Sequence, residues 1–459
     1  MTTEQRQLFE EAIAEDEAEL QARIDALRDD KTPVPPAAGA AIKRQPRRQP
    51  LPEHLRRVEH QHEPQDTTCP TSGCGRPMVR IGEDVSERLD IVPAEFFVHR
   101  HIRGKWACKC CQLLVQEPVA PQLIDKGLPS PGLAAHVLVS RFVDHIPYYR
   151  QETINARSGA HTPRTTLASW SGASAAELEP LGLAHKAFVL GSRVLHADET
   201  PVPMLDPGAG RTKRAYIWGY ARSEFDGQRV VVYDFCVGRG AKYPAAFLQG
   251  WDGTLVCDDY KGYEPVFKLG RRIEAGCLVH ARRKFEELIK NGHASAVADE
   301  AMRRLAWIFW IEKQARDVSA LERLAIRQDQ TRPHWDQLHE WLCGERKRVP
   351  DGSGIAGAID YSLNRREPLG RFLEDGDVSC HNNHLENLLR PWAMGRKAWL
   401  FAGSELAGKR AATVMSLVQS AKLHGHDPWA YLKDVLTRLP TYPSRRIDEL
   451  LPHRWTSAD

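Results

Sequence analysis

The order of hydrophobic runs between residues 192 and 290 restricts the fold of this chain more than any other feature. "SRVLHADET", "RAYIWGYARS" and "RVVVYDFCV" are three strand-like runs in succession, each bounded by Gly, Pro or charged turn residues. "AKYPAAFLQG" then reads as a short helix, and "GTLVCDDYKGY" as a strand ending in acids. "RRIEAGCLVHARRKFEEL" reads as a strand passing into a helix. The predicted order is β-β-β-α-β-α-β-α. Three sequential strands followed by alternating helix and strand predict a mixed α/β sheet with helices on its faces.

Two of these strands end on carboxylates. Asp198 and Asp258 each sit where a hydrophobic run stops, the usual place for functional groups at the mouth of an α/β sheet. Acids are also common there as turn formers, and singly each keeps that reading. Glu199 follows Asp198, and the strand pleat sends it to the opposite face. A third acid, Glu386, lies in "SCHNNHLENLLRPWAMGRKAWLF", residues 379–401. Alone, that stretch reads as a well-started amphipathic helix. Asn383 and Glu386 fit a capping box, and Arg390 stands four residues beyond Glu386 as an ion-pair partner. Leu385, Leu388, Leu389 and Trp392 form its apolar stripe.

Taken together, the three acids match another need. A phosphodiester is attacked with least difficulty when two hard cations, roughly 3.5–4 Å apart, flank the attacking and leaving oxygens. Mg²⁺ takes oxygen ligands and keeps several waters, so two Asp from different strands and one Glu from a later helix suffice. Arg390, Arg396, Lys397, Lys409 and Arg410 supply positive charge for a phosphate backbone. Trp392, Trp399 and Phe401 read mainly as core, with stacking on unpaired bases as the alternative.

Five of the ten cysteines fall between residues 69 and 111. "CPTSGC" contributes Cys69 and Cys74, and "WACKCC" contributes Cys108 and Cys111, with Cys110 as a competing ligand. This C-x4-C…C-x2-C set is what a closed tetrahedral Zn²⁺ site requires; four buried free thiols are the alternative. Cys277 and His280 are spaced as a half-site, but read as packing plus a polar contact and stay outside the zinc count. Residues 130–172 read as helical. "IPYYRQETINARSG" and "HTPRTTLASW" give a helix, a Gly-containing turn, and a second helix with Thr162 as N-cap and Pro163 first inside. That is the outline of a helix-turn-helix, with Arg150, Arg157 and Arg164 available for phosphates, or of an ordinary helix pair.

Charge is segregated at the N-terminal side. Residues 1–30 carry ten acidic and three basic side chains, and residues 31–57 carry seven basic and one acidic. Phe9, Ile13, Leu20, Ile24 and Leu27 form a short heptad seam or a plain amphipathic stripe, and the Pro-rich basic stretch after them reads as an extended linker. A net charge of +3 decides nothing about partners, and 42% hydrophobic content over 459 residues describes a soluble chain of two to four domains. No apolar run is long enough for a membrane span and the start has no signal-peptide pattern, so a cytoplasmic protein is expected.

The motifs "HADETPV", "CDDYKGY", "CLVHARRKF", "NNHLENLLRPWAMGRKAWLFAGS" and "SLVQSAKLHGHDPWAYLKDVL" together resemble the large transposase of the bacterial insertion-sequence sixty-six family. The resemblance runs through nearly the whole chain and implies a ribonuclease-H-like catalytic core of DD(E) type. It implies Asp198, Asp258 and Glu386 as the catalytic, metal-binding carboxylates, with Mg²⁺ (or Mn²⁺), two ions per site, and one structural Zn²⁺. Asp259 stands where the family often has Gly, and Asp258 is the expected ligand of the pair. The implied partners are DNA, as terminal inverted repeats and target, a homo-oligomer on paired ends, and small accessory proteins. Expected domains are a helix at 1–30, linker 31–57, zinc module 58–120, helix-turn-helix-like region 121–190 and first core part 191–290. A helical insertion at 291–375, a core helix with the catalytic Glu at 376–404 and a helical region at 405–459 complete them. The rivals are a structure-specific nuclease on the same fold and a non-catalytic DNA-binding derivative.

Overall fold

A computed structural model describes residues 95–457 apart from 104, 108–113, 117–120, 125–126, 269 and 292–294. The expected N-terminal helix, the linker and all four zinc-module cysteines (Cys69, Cys74, Cys108 and Cys111) lie outside the described residues. Beside the second cysteine pair, β1 (Lys105–Ala107) and β2 (Leu114–Gln116) form a two-stranded antiparallel sheet, with Trp106 opposite Val115.

Four helices precede the main sheet: α1 (Pro131–Phe142), α2 (Tyr148–Arg157), α3 (Arg164–Glu177) and α4 (Glu179–Leu190). The sequence placed Thr162 at the N-cap of α3. The helix starts one residue later, because Pro163 is extended (ψ 142°) and is itself the N-cap. Between α2 and α3 the chain turns at Gly159, whose φ of +81° a side chain would strain.

The sheet has the expected element order. It comprises β3 (Val194–Asp206), β4 (Arg211–Arg222), β5 (Val231–Cys236), α5 (Lys242–Phe247), β6 (Gly253–Cys257), α6 (Glu264–Phe267), β7 (Arg272–Gly276) and α7 (Leu278–Lys290). The strands lie in the order β5-β4-β3-β6-β7; β3, β4 and β5 are antiparallel neighbours, and β6 and β7 run parallel to β3. β6 pairs only with Val194, Leu195 and His196, so β3 continues past β6, still paired with β4, with one open edge. Pro201 and Pro203 lie on that stretch, as expected of residues that lack an N–H for a ladder.

Beyond α7 the chain is helical: α8 (Ala296–Gln314), α9 (Ala320–Ile326), α10 (Arg332–Arg346), α11 (Gly354–Asn364) and α12 (Arg366–Gly370), with a π-helical turn at Arg327–Thr331. The chain then returns to the sheet through α13 (Asn383–Trp399), α14 (Glu405–Leu423) and α15 (Pro428–Arg438). α13 and the turn after it cover the open edge of β3. Arg396 donates to the Pro201 carbonyl, Ala402 N to Pro203 O at 2.9 Å, and Leu205 N to Ala402 O at 2.9 Å. On the other side of the sheet α14 closes the free edge of β5, where Ser416 and Ser420 accept from the backbone N–H groups of Tyr233 and Val231. Each device satisfies strand groups that would otherwise be left unpaired.

Apolar packing follows from strand alternation. Leu195 and Ala197 face a cluster with Trp218, Tyr220, Phe247 and Tyr263. Val202 and Met204 join Leu385, Leu389 and Trp392 of α13 and Val414 to Val418 of α14 in another. Val256, Ala275 and Leu278 pack with the helices that follow α7. Trp392 is buried among these groups, which realises the core reading of that residue.

Candidate active site

Asp198 follows His196 on the face of β3 opposite Leu195 and Ala197, and Asp258 follows β6, the parallel neighbour. The sequence ended this strand at Asp198, but β3 runs on to Asp206 paired with β4; what stops near Asp198 is the pairing with β6, which ends at His196, just before Asp258 leaves β6. Glu386 lies near enough to raise the Asp198 carboxyl, because α13 lies close against β4. Gly219 stands opposite Asp198 in the ladder, and a Cβ there would come within 3.1 Å of both Leu385 and Leu389. A bare backbone at this point lets the helix approach.

The three carboxylates share one electrostatic environment. Burial, followed by the charges of Glu199, Asp258 and Glu386, pushes the Asp198 carboxyl up to about 8; the Glu199 amide, 2.8 Å from Oδ1, opposes the rise. Asp258 Oδ1 accepts from Tyr260 N at 3.1 Å, whereas its neighbour Asp259 is exposed. Among the described residues no Lys or Arg pairs with Asp198, Asp258 or Glu386. Glu199 differs. Its carboxylate is turned to the other face, where it takes the Arg239 guanidinium at 2.6 Å and the Tyr263 hydroxyl at 3.3 Å.

Neither ordinary reading of Glu386 is realised. The helix N-cap is Asn382, not Asn383, and it makes no side-chain capping bond. Glu386 occupies the fourth helical position, its N–H bonded to Asn382 O at 3.1 Å, and makes no ion pair with Arg390. Asn382 cannot cap because its side chain is engaged inward: Oδ1 meets His196 Nδ1 at 2.8 Å and Nδ2 donates to Ala197 O at 2.9 Å. Its own N–H donates to Cys277 Sγ at 3.3 Å. This one buried residue ties α13 to β3 and to the end of β7, and so positions Glu386. Sequence reasoning missed it; the run Asn382–Asn383–His384 was the available signal, but nothing in it says which Asn is buried.

The path into α13 is held from the helices beyond α7. Arg327, fully buried, pairs with Glu312 at 2.6 Å and donates to the carbonyls of Phe372, Asp375 and Val378. Arg323 donates to Gly376 O at 2.7 Å. Both residues were absent from the sequence expectations.

The structure distributes the expected DNA contacts unevenly. Arg150, Arg157 and Arg164 are all exposed around the α2–α3 turn, with Arg150 hydrogen-bonded to Tyr149. Arg390 and Lys397 are exposed on α13, while Arg396 is spent on the backbone of β3. No described helix is long and apolar enough to cross a membrane.

A model of the transposase IS66 family matches residues 126–410, and one for the zinc-finger binding domain of transposase IS66 matches residues 66–112. The IS66 C-terminal element matches residues 416–453, and the "Transposase C of IS166 homeodomain" matches residues 1–59. The chain belongs to the IS66 family of transposases. Similar relatives include the uncharacterized proteins y4qI and y4hP of Sinorhizobium fredii (strain NBRC 101917 / NGR234). The first is 37% identical over 91% of this chain and 79% of its own length, the second 35% over 91% and 78%.

Proposed function

We propose that this transposase binds the terminal inverted repeats of its own element, hydrolyses a phosphodiester at the element's end, and directs the freed 3′-hydroxyl at target DNA. The observation that supports this reading is the Asp198 carboxyl, pushed up to about 8 by burial and by the charges of Glu199, Asp258 and Glu386, with no Lys or Arg salt-bridged to Asp198, Asp258 or Glu386 among the described residues. Like charges held together at a sheet mouth are stabilised by a cation, and an oxygen-only set fits a hard one. Asp198, Asp258 and Glu386 would hold Mg²⁺ or Mn²⁺, two ions per site, and ions bound there supply an activated water and charge neutralisation at phosphorus. The carboxylates act as ligands and not as covalent nucleophiles. Asp198 must give up its proton to take that role. Asn382 and Gly219 fix where Glu386 stands, and Arg390, Lys397 and the arginines of the α2–α3 turn contact DNA phosphates.

The strand order β5-β4-β3-β6-β7, with β6 and β7 parallel to β3, supports a ribonuclease-H-like core interrupted by a helical insertion. The match to a zinc-finger domain supports one structural Zn²⁺ on Cys69, Cys74, Cys108 and Cys111. Assembly as a homo-oligomer on paired ends, with small accessory proteins, belongs to the same proposal.

The test is cleavage of a labelled repeat-end duplex in Mg²⁺ by Asp198→Asn, Asp258→Asn and Glu386→Gln. Each should fold, bind the repeat and lose more than about 100-fold in rate, since even outer-shell partners of metal ligands cost about 10–100-fold. A folded Glu386→Gln protein that cuts at the wild-type rate would return this residue to a merely structural role.

A further inference from the structure

We propose that Cys277, His280 and Glu386 form a second cation site, selective for zinc-like ions, and that filling it withdraws Glu386 from the hard-cation set. One ligand atom from each of the three lies within 4.8 Å of the others. Cys277 is the N-cap of α7 and His280 its third residue, so a C-x2-H spacing on one helical turn brings thiol and imidazole together. Glu386 approaches from α13, a separate element.

The chemistry of this donor set differs from that of the carboxylate trio. Sulfur, nitrogen and one oxygen are what Zn²⁺ takes at a tetrahedral site, with water in the fourth position, and they suit Mg²⁺ poorly. His280 Nδ1 is buried and has no hydrogen-bond partner, a condition a bound ion or its water would relieve. Burial pushes the Cys277 thiol up to about 11, and the Asn382 amide, donating to its sulfur at 3.3 Å, opposes that rise; an ion bound there would take the thiolate and release its proton. Among the described residues Glu386 has no hydrogen-bond or ion-pair partner, and it is the group the two sites have in common. The site is therefore a built-in brake: zinc and the hard cations would compete for one carboxylate. That consequence rests on the reading of Glu386 as a hard-cation ligand; the binding of zinc does not.

Two measurements on the full chain separate these parts. After equilibration with zinc and removal of excess, elemental analysis should find about one zinc more per chain in the wild type than in Cys277→Ala or His280→Gln. The amino-terminal cysteine module contributes equally to all three proteins. Cobalt in place of zinc should give thiolate charge-transfer absorption that is reduced in Cys277→Ala. His280→Gln, on a partly exposed helix position, guards against a Cys277 variant that fails to fold. Equal metal content in the wild type and a folded His280→Gln protein overturns the site. At fixed Mg²⁺, added zinc should slow wild-type cleavage of the repeat-end duplex at least about tenfold. If the second zinc binds and cleavage is unaffected, competition for Glu386 is overturned. If the wild type never cuts in Mg²⁺ alone, the functional reading fails while the metal count still decides the site.

Discussion

Two clusters of charge in this molecule are handled in opposite ways. Beyond α7, Glu312 is buried, and Arg327 meets it at 2.6 Å while its remaining donors go to three backbone carbonyls. Around Asp198, by contrast, the charges of Glu199, Asp258 and Glu386 add to burial, and among the described residues no lysine or arginine is salt-bridged to Asp198, Asp258 or Glu386. The first arrangement is neutral and hydrogen-bonded throughout, so it gives rigidity and nothing is left to react. The second retains unneutralised negative charge, which costs stability and creates a demand for cations. The two are connected: the Arg323 and Arg327 contacts fix residues 372–378, and Asn382 then fixes the start of α13, on which Glu386 rides.

The largest expected effect comes from breaking the satisfied cluster. Arg327→Leu leaves Glu312 buried without its partner and frees three carbonyls, and should cost about 3–5 kcal/mol of folding stability. Denaturant unfolding measures it. A variant within experimental error of the wild type would show that the two clusters do not differ as described.

A smaller effect is expected from moving α13 without touching charge. Gly219→Ala places a methyl within 3.1 Å of Leu385 and Leu389 and so pushes α13 from the strand beside Asp198. Cleavage should fall about 10–100-fold, because small misplacement of reacting groups is costly. Repeat binding and the fold should persist. Unchanged cleavage by this variant would mean that Glu386 does not need its close seat on β4.

The smallest effect concerns the cost of the unneutralised cluster itself. Asp198 ionises near the ordinary aspartate value of 3.8 in the unfolded chain, and in the native one burial and neighbouring carboxylates push it up to about 8. Between those values the native state binds the extra proton, so this group makes stability fall as pH rises. In chelator, Asp198→Asn should therefore be more stable than the wild type at pH 8, with the difference shrinking towards pH 4. Added Mg²⁺ should stabilise the wild type and reduce the gap. Melting curves at the two pH values check it, and an Asp198→Asn protein less stable than the wild type at pH 8 would contradict the shared-charge account.

Much of the core was legible because it depends on local pattern. The runs containing Asp198 and preceding Asp258 carry the strand signal beside the acids, though β3 runs on past Asp198 to Asp206, and the pleat alone separates Asp198 from Glu199. The element order over residues 194–290 follows from where hydrophobic runs stop. Glu386 was legible as an acid at the start of a helix, but its local surroundings argued for a capping box and an Arg390 pair, and neither forms.

What overrode those local preferences is contact between distant segments. Asn382 turns inward because His196 and Ala197, far away in the chain, offer it partners. Arg396 is engaged because the edge of β3 is open where β6 stops pairing, a matter of sheet register that no stretch around Arg396 reports. Gly219 is needed only because α13 crosses above it. Cys277 and His280, ordinary residues on one helical turn, become a donor pair only when α13 brings Glu386 beside them. Periodicity and residue type set the elements and their acids, since those are properties of neighbouring residues; which polar groups are occupied and which are left free depends on what each element meets after folding.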